Sequence, residues 1–103
     1  MEYRLDITDS ALNDLNDIVS YIAETLYAPT AATHFTEAVE MCYDNLKSQP
    51  FMYAACDMPE LAEKGYRRAP VKNYLILYKV DELVGIVRIH RIFYGARDYI
   101  DLI

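Results

Sequence analysis

The sequence predicts an α+β fold of two layers, an antiparallel helical hairpin packed on a sheet. The sheet consists of an N-terminal strand completed by a C-terminal three-stranded antiparallel meander. Three observations predict it. Apolar residues recur every three or four positions along two stretches of the first half. The last third is rich in β-branched and aromatic residues. The two helical stretches are joined by almost no connector, so they fold back on each other as a helical hairpin. At 103 residues the chain suffices for one domain, 1–103, with a single modest core.

The first element is EYRLDI, where Tyr3, Leu5 and Ile7 alternate with Glu2, Arg4 and Asp6, the period of a half-buried strand. Thr8 or Asp9 then caps a helix whose stripe is Ala11, Leu12, Leu15, Ile18, Val19, Ile22 and Leu26. Pro29 opens a second helix, because proline is tolerated in a first turn, and Tyr27-Ala28 leaves almost no connector. Its stripe is Ala32, Phe35, Val39, Cys42 and Leu46, ending before Pro50. Residues 51–65 have no clean period and read as a loop with one helical turn around Glu60 to Glu63. YRRAPV, broken by Pro70, is a short or edge strand. NYLILYKV, the connector DELVG and IVRIHRIFY make a hairpin, and the first strand pairs inside or beside this meander. The tail after Gly95 is long enough for a helical turn or an extended arm only.

The net charge of −6 hides a split. Residues 1–63 carry two basic residues against twelve acidic ones; residues 64–103 carry eight against four. A basic C-terminal half points to an anionic partner. The same split also arises when a basic face lies beside an acidic one within one fold. Cys42 and Cys56 lack both a disulfide framework and zinc-site spacing, and read as small apolar side chains. The N-terminus has no signal-peptide pattern and no segment has the length of a membrane span, so a cytoplasmic protein with no membrane partner is expected. Phosphate-binding loops, HExxH and nucleophile-elbow patterns are absent, and neither cofactor nor metal is expected.

The ordered series ITDSALNDLNDIVSYI, APTAATHF, LKSQPF, GYR, NYLILYKV and VRIHRIFYGARD resembles the RelE/ParE superfamily of type II toxin–antitoxin toxins over nearly the whole chain. The closing pattern Arg91, Ile92, Gly95, Arg97, Asp98 is its most specific part. The resemblance implies a growth inhibitor neutralised by a cognate antitoxin, with a homodimer or a heterotetramer with the antitoxin both compatible. Its branches imply different targets. ParE-like members poison DNA gyrase, whereas RelE-like members cleave mRNA on the ribosome without a metal.

Cleavage through a 2′-hydroxyl needs a base, an acid and cations for the developing charge. RelE-like members place a cation within the strand matching NYLILYKV, yet here Leu75-Ile76-Leu77 follows Tyr74. The ParE-like branch is therefore favoured. The nuclease alternative would use Arg68, His90, Tyr94 and Arg97. For antitoxin or target binding the candidates are Arg67, Arg68, Arg88, His90, Tyr94, Arg97 and Tyr99. Strand parity places Ile86, Arg88, His90, Ile92 and Tyr94 on one face and Val87, Ile89, Arg91 and Phe93 on the other, which is expected to meet the helices. An arginine facing a helical layer needs a carboxylate, so Arg91 is expected to pair with Asp14 or Asp17. His34 reads as a helix-edge residue.

Overall fold

The computed structural model describes residues 2–95. Strand β1 (Arg4–Ile7) leads into helix α1 (Asp9–Ser20), which widens into a π-helical turn, Tyr21–Thr25. Helix α2 (Pro29–Ser48) and the short α3 (Pro59–Glu63) follow, then strands β2 (Arg67–Val71), β3 (Tyr74–Asp81) and β4 (Ile86–Tyr94). The sheet order is β1-β4-β3-β2. The first strand therefore lies beside the meander, parallel to β4, and β2 with Pro70 lies at the opposite edge.

Helices α1 and α2 cover one face of the sheet. Ala11, Ile22, Phe35, Val39 and Leu46 meet Ile76, Tyr78, Val87, Ile89 and Ile92 in the main core. Each large aliphatic side chain fully buried there contributes roughly 1.5–3 kcal/mol. The first helix departs from its predicted stripe at both ends: Leu12 and Leu26 are half exposed. Ser20 ends the α-helical spacing, and the wide turn that follows rotates later residues out of the 3.6-residue register.

The face away from the helices is not open along its whole length. A second, smaller core forms there, in which Cys56, Leu61 and Tyr66 cover Leu75, Leu77 and Phe93. Its covering segment is tied to the edge of β2: the Arg68 N–H donates to the Ala54 carbonyl at 3.1 Å and the Cys56 N–H to the Tyr66 carbonyl at 3.1 Å. Both cysteines are buried, and burial pushes the Cys42 thiol above its ordinary pKa.

The β3–β4 ladder shifts register. Leu77 pairs with Arg91, but the next residue, Tyr78, pairs with Ile89, so His90 is extra in β4. Such a bulge reverses the alternation beyond it. It corrects the parity expected from the sequence. Arg88 and His90 lie on the face away from the helices, whereas Ile92 and Tyr94 turn toward them, and Phe93 joins the second core.

β1 ends its pairing at Ile7 with Ile89, and from there the start of α1 takes over the edge of β4. Thr8 donates its backbone N–H to the Ile89 carbonyl at 3.1 Å and its hydroxyl to the His90 carbonyl at 2.8 Å. The same hydroxyl oxygen accepts the Ala11 N–H at 3.1 Å, so Thr8, rather than Asp9, caps the helix. Asp14 Oδ2 accepts the Ile92 N–H at 3.0 Å. Backbone groups of β4 beyond the end of β1 thus find partners on α1 and its cap.

Candidate functional site

The residues singled out from the sequence fall on two surfaces. On the face away from the helices, β4 presents Arg88 and His90 beside Lys79 of β3. The Arg88 Nε donates to Asp6 Oδ2 at 2.7 Å across the β1–β4 pair. The His90 ring stands edge-on to Tyr66, with centroids 5.0 Å apart, and the Lys79 ammonium lies 4.9 Å from the Tyr66 centroid. Burial, reinforced by Lys79 and Arg88, holds the His90 imidazole below its ordinary pKa. The ring is therefore neutral near pH 7. Among the described residues its nitrogens have no hydrogen-bond partner to orient them as a base.

The two neighbouring arginines of β2 point to opposite faces. Arg67 is opposite Tyr78, on the helix side, where its Nη1 donates to the Tyr53 carbonyl at 2.6 Å and its guanidinium lies 4.9 Å from the Phe51 centroid. Arg68 is opposite Leu77 and meets Asp57 at 2.9 Å. Its buried Nε has no hydrogen-bond partner among the described residues. Arg91 meets Asp14 rather than Asp17, with Nε to Oδ2 at 2.7 Å and Nη2 to Oδ1 at 3.0 Å. That hydrogen bond raises the guanidinium pKa. Asp6, Asp14 and Asp57 of the acidic half thus face Arg88, Arg91 and Arg68 of the basic half. Much of the charge split along the sequence is closed within the fold.

Tyr94 stands on the other surface, away from His90. It lines a cleft of about 720 Å³ between the sheet and the far end of the helical hairpin, together with Tyr21, His34, Phe35, Lys72 and Tyr74. Tyr74 is edge-on to Phe35 at 5.1 Å and to Tyr94 at 5.7 Å. Burial raises the Tyr74 pKa, and the nearby Tyr21 and Tyr94 hydroxyls add to the shift. Arg97 and Tyr99 lie outside the described residues.

The family described as the ParE toxin of the type II toxin–antitoxin system parDE matches residues 5–99. The chain belongs to the ParE toxin family. No curated protein sequence matches it. Its fold is shared with solved complexes. A chain of the chromosomal ParDE system of Pseudomonas aeruginosa aligns with a TM-score of 0.70 at 18% identity, covering 90% of this chain and 96% of the other. One from the RelBE2 toxin–antitoxin complex of Mycobacterium tuberculosis gives 0.65 at 20% identity, covering 91% and 99%. One from the archaeal RelE–RelB complex of Pyrococcus horikoshii gives 0.63 at 17% identity, covering 95% and 100%.

In this ParE-family toxin the three described residues of the nuclease alternative are not gathered in one place. Arg68 and His90 share the sheet face away from the helices, and Tyr94 is on the helix side. The centre of β3, Leu75-Ile76-Leu77, is buried on both faces. No group of three or more His, Cys, Asp or Glu among the described residues is arranged to hold a metal ion, and no described helix is long and apolar enough to cross a membrane.

The cleft residues Tyr21, Phe35, Lys72 and Tyr74 escaped sequence reasoning because helix and strand periods mark them only as stripe, turn or strand. One signal was legible: Lys72-Asn73 sits between two β-rich runs at the spacing of a two-residue hairpin turn.

Proposed function

We propose that this ParE-family toxin acts by gripping a protein target, DNA gyrase, rather than by cutting RNA, and that a cognate antitoxin neutralises it. The observation that supports this reading is the buried centre of β3. Leu75 and Leu77 lie beneath Cys56, Leu61 and Tyr66, so the middle of the sheet offers no cation and no access to a ribose phosphate. Metal-independent cleavage needs positioned charge at that centre.

The gripping surface in this reading is the uncovered end of the same face, with Arg88, His90 and Lys79, continued by the β3–β4 hairpin tip. Leu83 at that tip is 98% exposed and Val84 58% exposed. Exposed aliphatics rimmed by charge favour protein contact over nucleic acid. An antitoxin segment carrying acidic side chains complements Arg88 and Lys79 on the same surface.

The test sets purified toxin against gyrase with plasmid and, separately, against translating ribosomes with a defined mRNA. Inhibition of supercoiling that weakens in Arg88→Glu and His90→Ala is the expected result. Transcript cleavage abolished by Tyr94→Phe overturns the gripping reading in favour of the RelE-like endoribonuclease.

A further inference from the structure

Three departures from regular backbone converge on the Tyr94 cleft. The π-helical turn supplies Tyr21 and Ile22. Tyr27, next to the lining residue Leu26, has φ 52°, and Lys72, a lining residue, has φ 56°. Wide helical turns and left-handed residues other than glycine cluster at binding and switch regions, where the surrounding structure holds them in place. Lys72 is the informative case. It is the first residue of a two-residue turn between Val71 and Tyr74, a place where glycine or asparagine relaxes the backbone. Here a lysine occupies that place, and it lines the cleft.

That ammonium group is uncommitted. Lys72 has no ion-pair or hydrogen-bond partner among the described residues, whereas Arg67, Arg68, Arg88 and Arg91 are all engaged. The described residues lining the cleft include Lys72 and His34 but no Asp or Glu, in a chain with sixteen acidic residues. An aromatic box alone also suits a cation; the Lys72 ammonium at its edge, unpaired among the described residues, argues for an anion. The lining combines the rings of Tyr21, Phe35, Tyr74 and Tyr94 with apolar Ile22 and Leu26, and it includes three tyrosines and Asn73, side chains that can donate hydrogen bonds. A volume of about 720 Å³ is that of a small-molecule site.

We propose that this cleft binds a small ligand in which a planar aromatic ring is joined to an anionic group, a phosphate or a carboxylate. The ring packs against Phe35, Tyr74 and Tyr94, and the anion sits at Lys72 with the tyrosine hydroxyls around it. The ligand site is separate from the Arg88 and His90 surface of the proposed grip.

The test is a titration of the purified, isotope-labelled toxin followed by amide NMR, with adenosine monophosphate, benzoate, adenosine and inorganic phosphate as probes. Saturable shifts confined to residues 21–35, 72–74 and 94 with adenosine monophosphate or benzoate support the site. Lys72→Asn, which suits a left-handed turn, is expected to weaken binding at least about tenfold without lowering the melting temperature, while Lys72→Arg retains it. The proposal is overturned if neither anion gives saturable shifts there. An equal response to adenosine or to phosphate alone, or unchanged affinity in Lys72→Asn, overturns it too.

Discussion

Asp14 of α1 holds Arg91 of β4 through two contacts of 2.7 and 3.0 Å, and with one of the same oxygens accepts the Ile92 N–H at 3.0 Å. One carboxylate thereby joins helix to sheet and fixes the place where the strand changes parity. Charge-assisted bidentate pairs are the strong ones, and this pair is mostly buried, with side chains 26% and 16% exposed. Arg91→Ala leaves Asp14 short of its cationic partner and is expected to cost about 2 kcal/mol, lowering the melting temperature by about 10 °C. Thermal unfolding followed by circular dichroism measures it. An unchanged midpoint would show that the pair contributes nothing.

Phe93 and Arg88 lie on the same sheet face and should respond very differently. Phe93 is buried in the second core, so Phe93→Ala is expected to cost about 3 kcal/mol or more. The Arg88–Asp6 pair is half exposed, so Arg88→Ala should cost less than about 1 kcal/mol. Urea unfolding of both variants measures the difference, and a Phe93→Ala cost no larger than that of Arg88→Ala would contradict the burial of Phe93 in a core.

His90 makes stability depend on pH. Its folded-state pKa lies below the ordinary 6.5, chiefly because of burial and then because Lys79 and Arg88 oppose the imidazolium, with Asp6 opposing the shift. Below pH 6.5 the unfolded chain takes up the proton before the folded chain does, so stability falls as pH drops through 6.5 toward the folded value. His90→Gln should remove that part of the slope while leaving the carboxylate titrations at lower pH. Equal slopes for both proteins across this window would contradict the assignment.

Tyr27 is 88% exposed and has φ 52°. The left-handed conformation costs a bulky residue about 1 kcal/mol or more, and asparagine tolerates it. Tyr27→Asn is therefore expected to raise stability by about 0.5–1 kcal/mol, read as a higher urea midpoint at unchanged slope. A lower midpoint would mean that the exposed ring makes contacts whose loss outweighs the strain.

The strands and helices were legible because their signals are local. The stripe Ala32, Phe35, Val39, Cys42, Leu46 repeats within one helix, and all five are buried. The β-rich runs needed only their own composition and the DELVG connector, which the structure closes with the Gly85 N–H donating to the Asp81 carbonyl at 2.9 Å. The family followed from the order of such pieces. The site was less legible. Arg88 and His90 can be placed on one face by counting, but Tyr94 cannot, because the count crosses the bulge.

What the sequence by itself determined is the set of elements, their order and the helix-on-sheet class, since amphipathic period and turn chemistry act over a few residues. What only the tertiary structure decided is which side each arginine and tyrosine serves. Asp14 reaches Ile92 across 78 positions, and Arg68 meets Asp57 only because the segment before it folds over the sheet. Such pairings depend on which carboxylate or carbonyl the packed fold brings within hydrogen-bond range, and no local period records that distance.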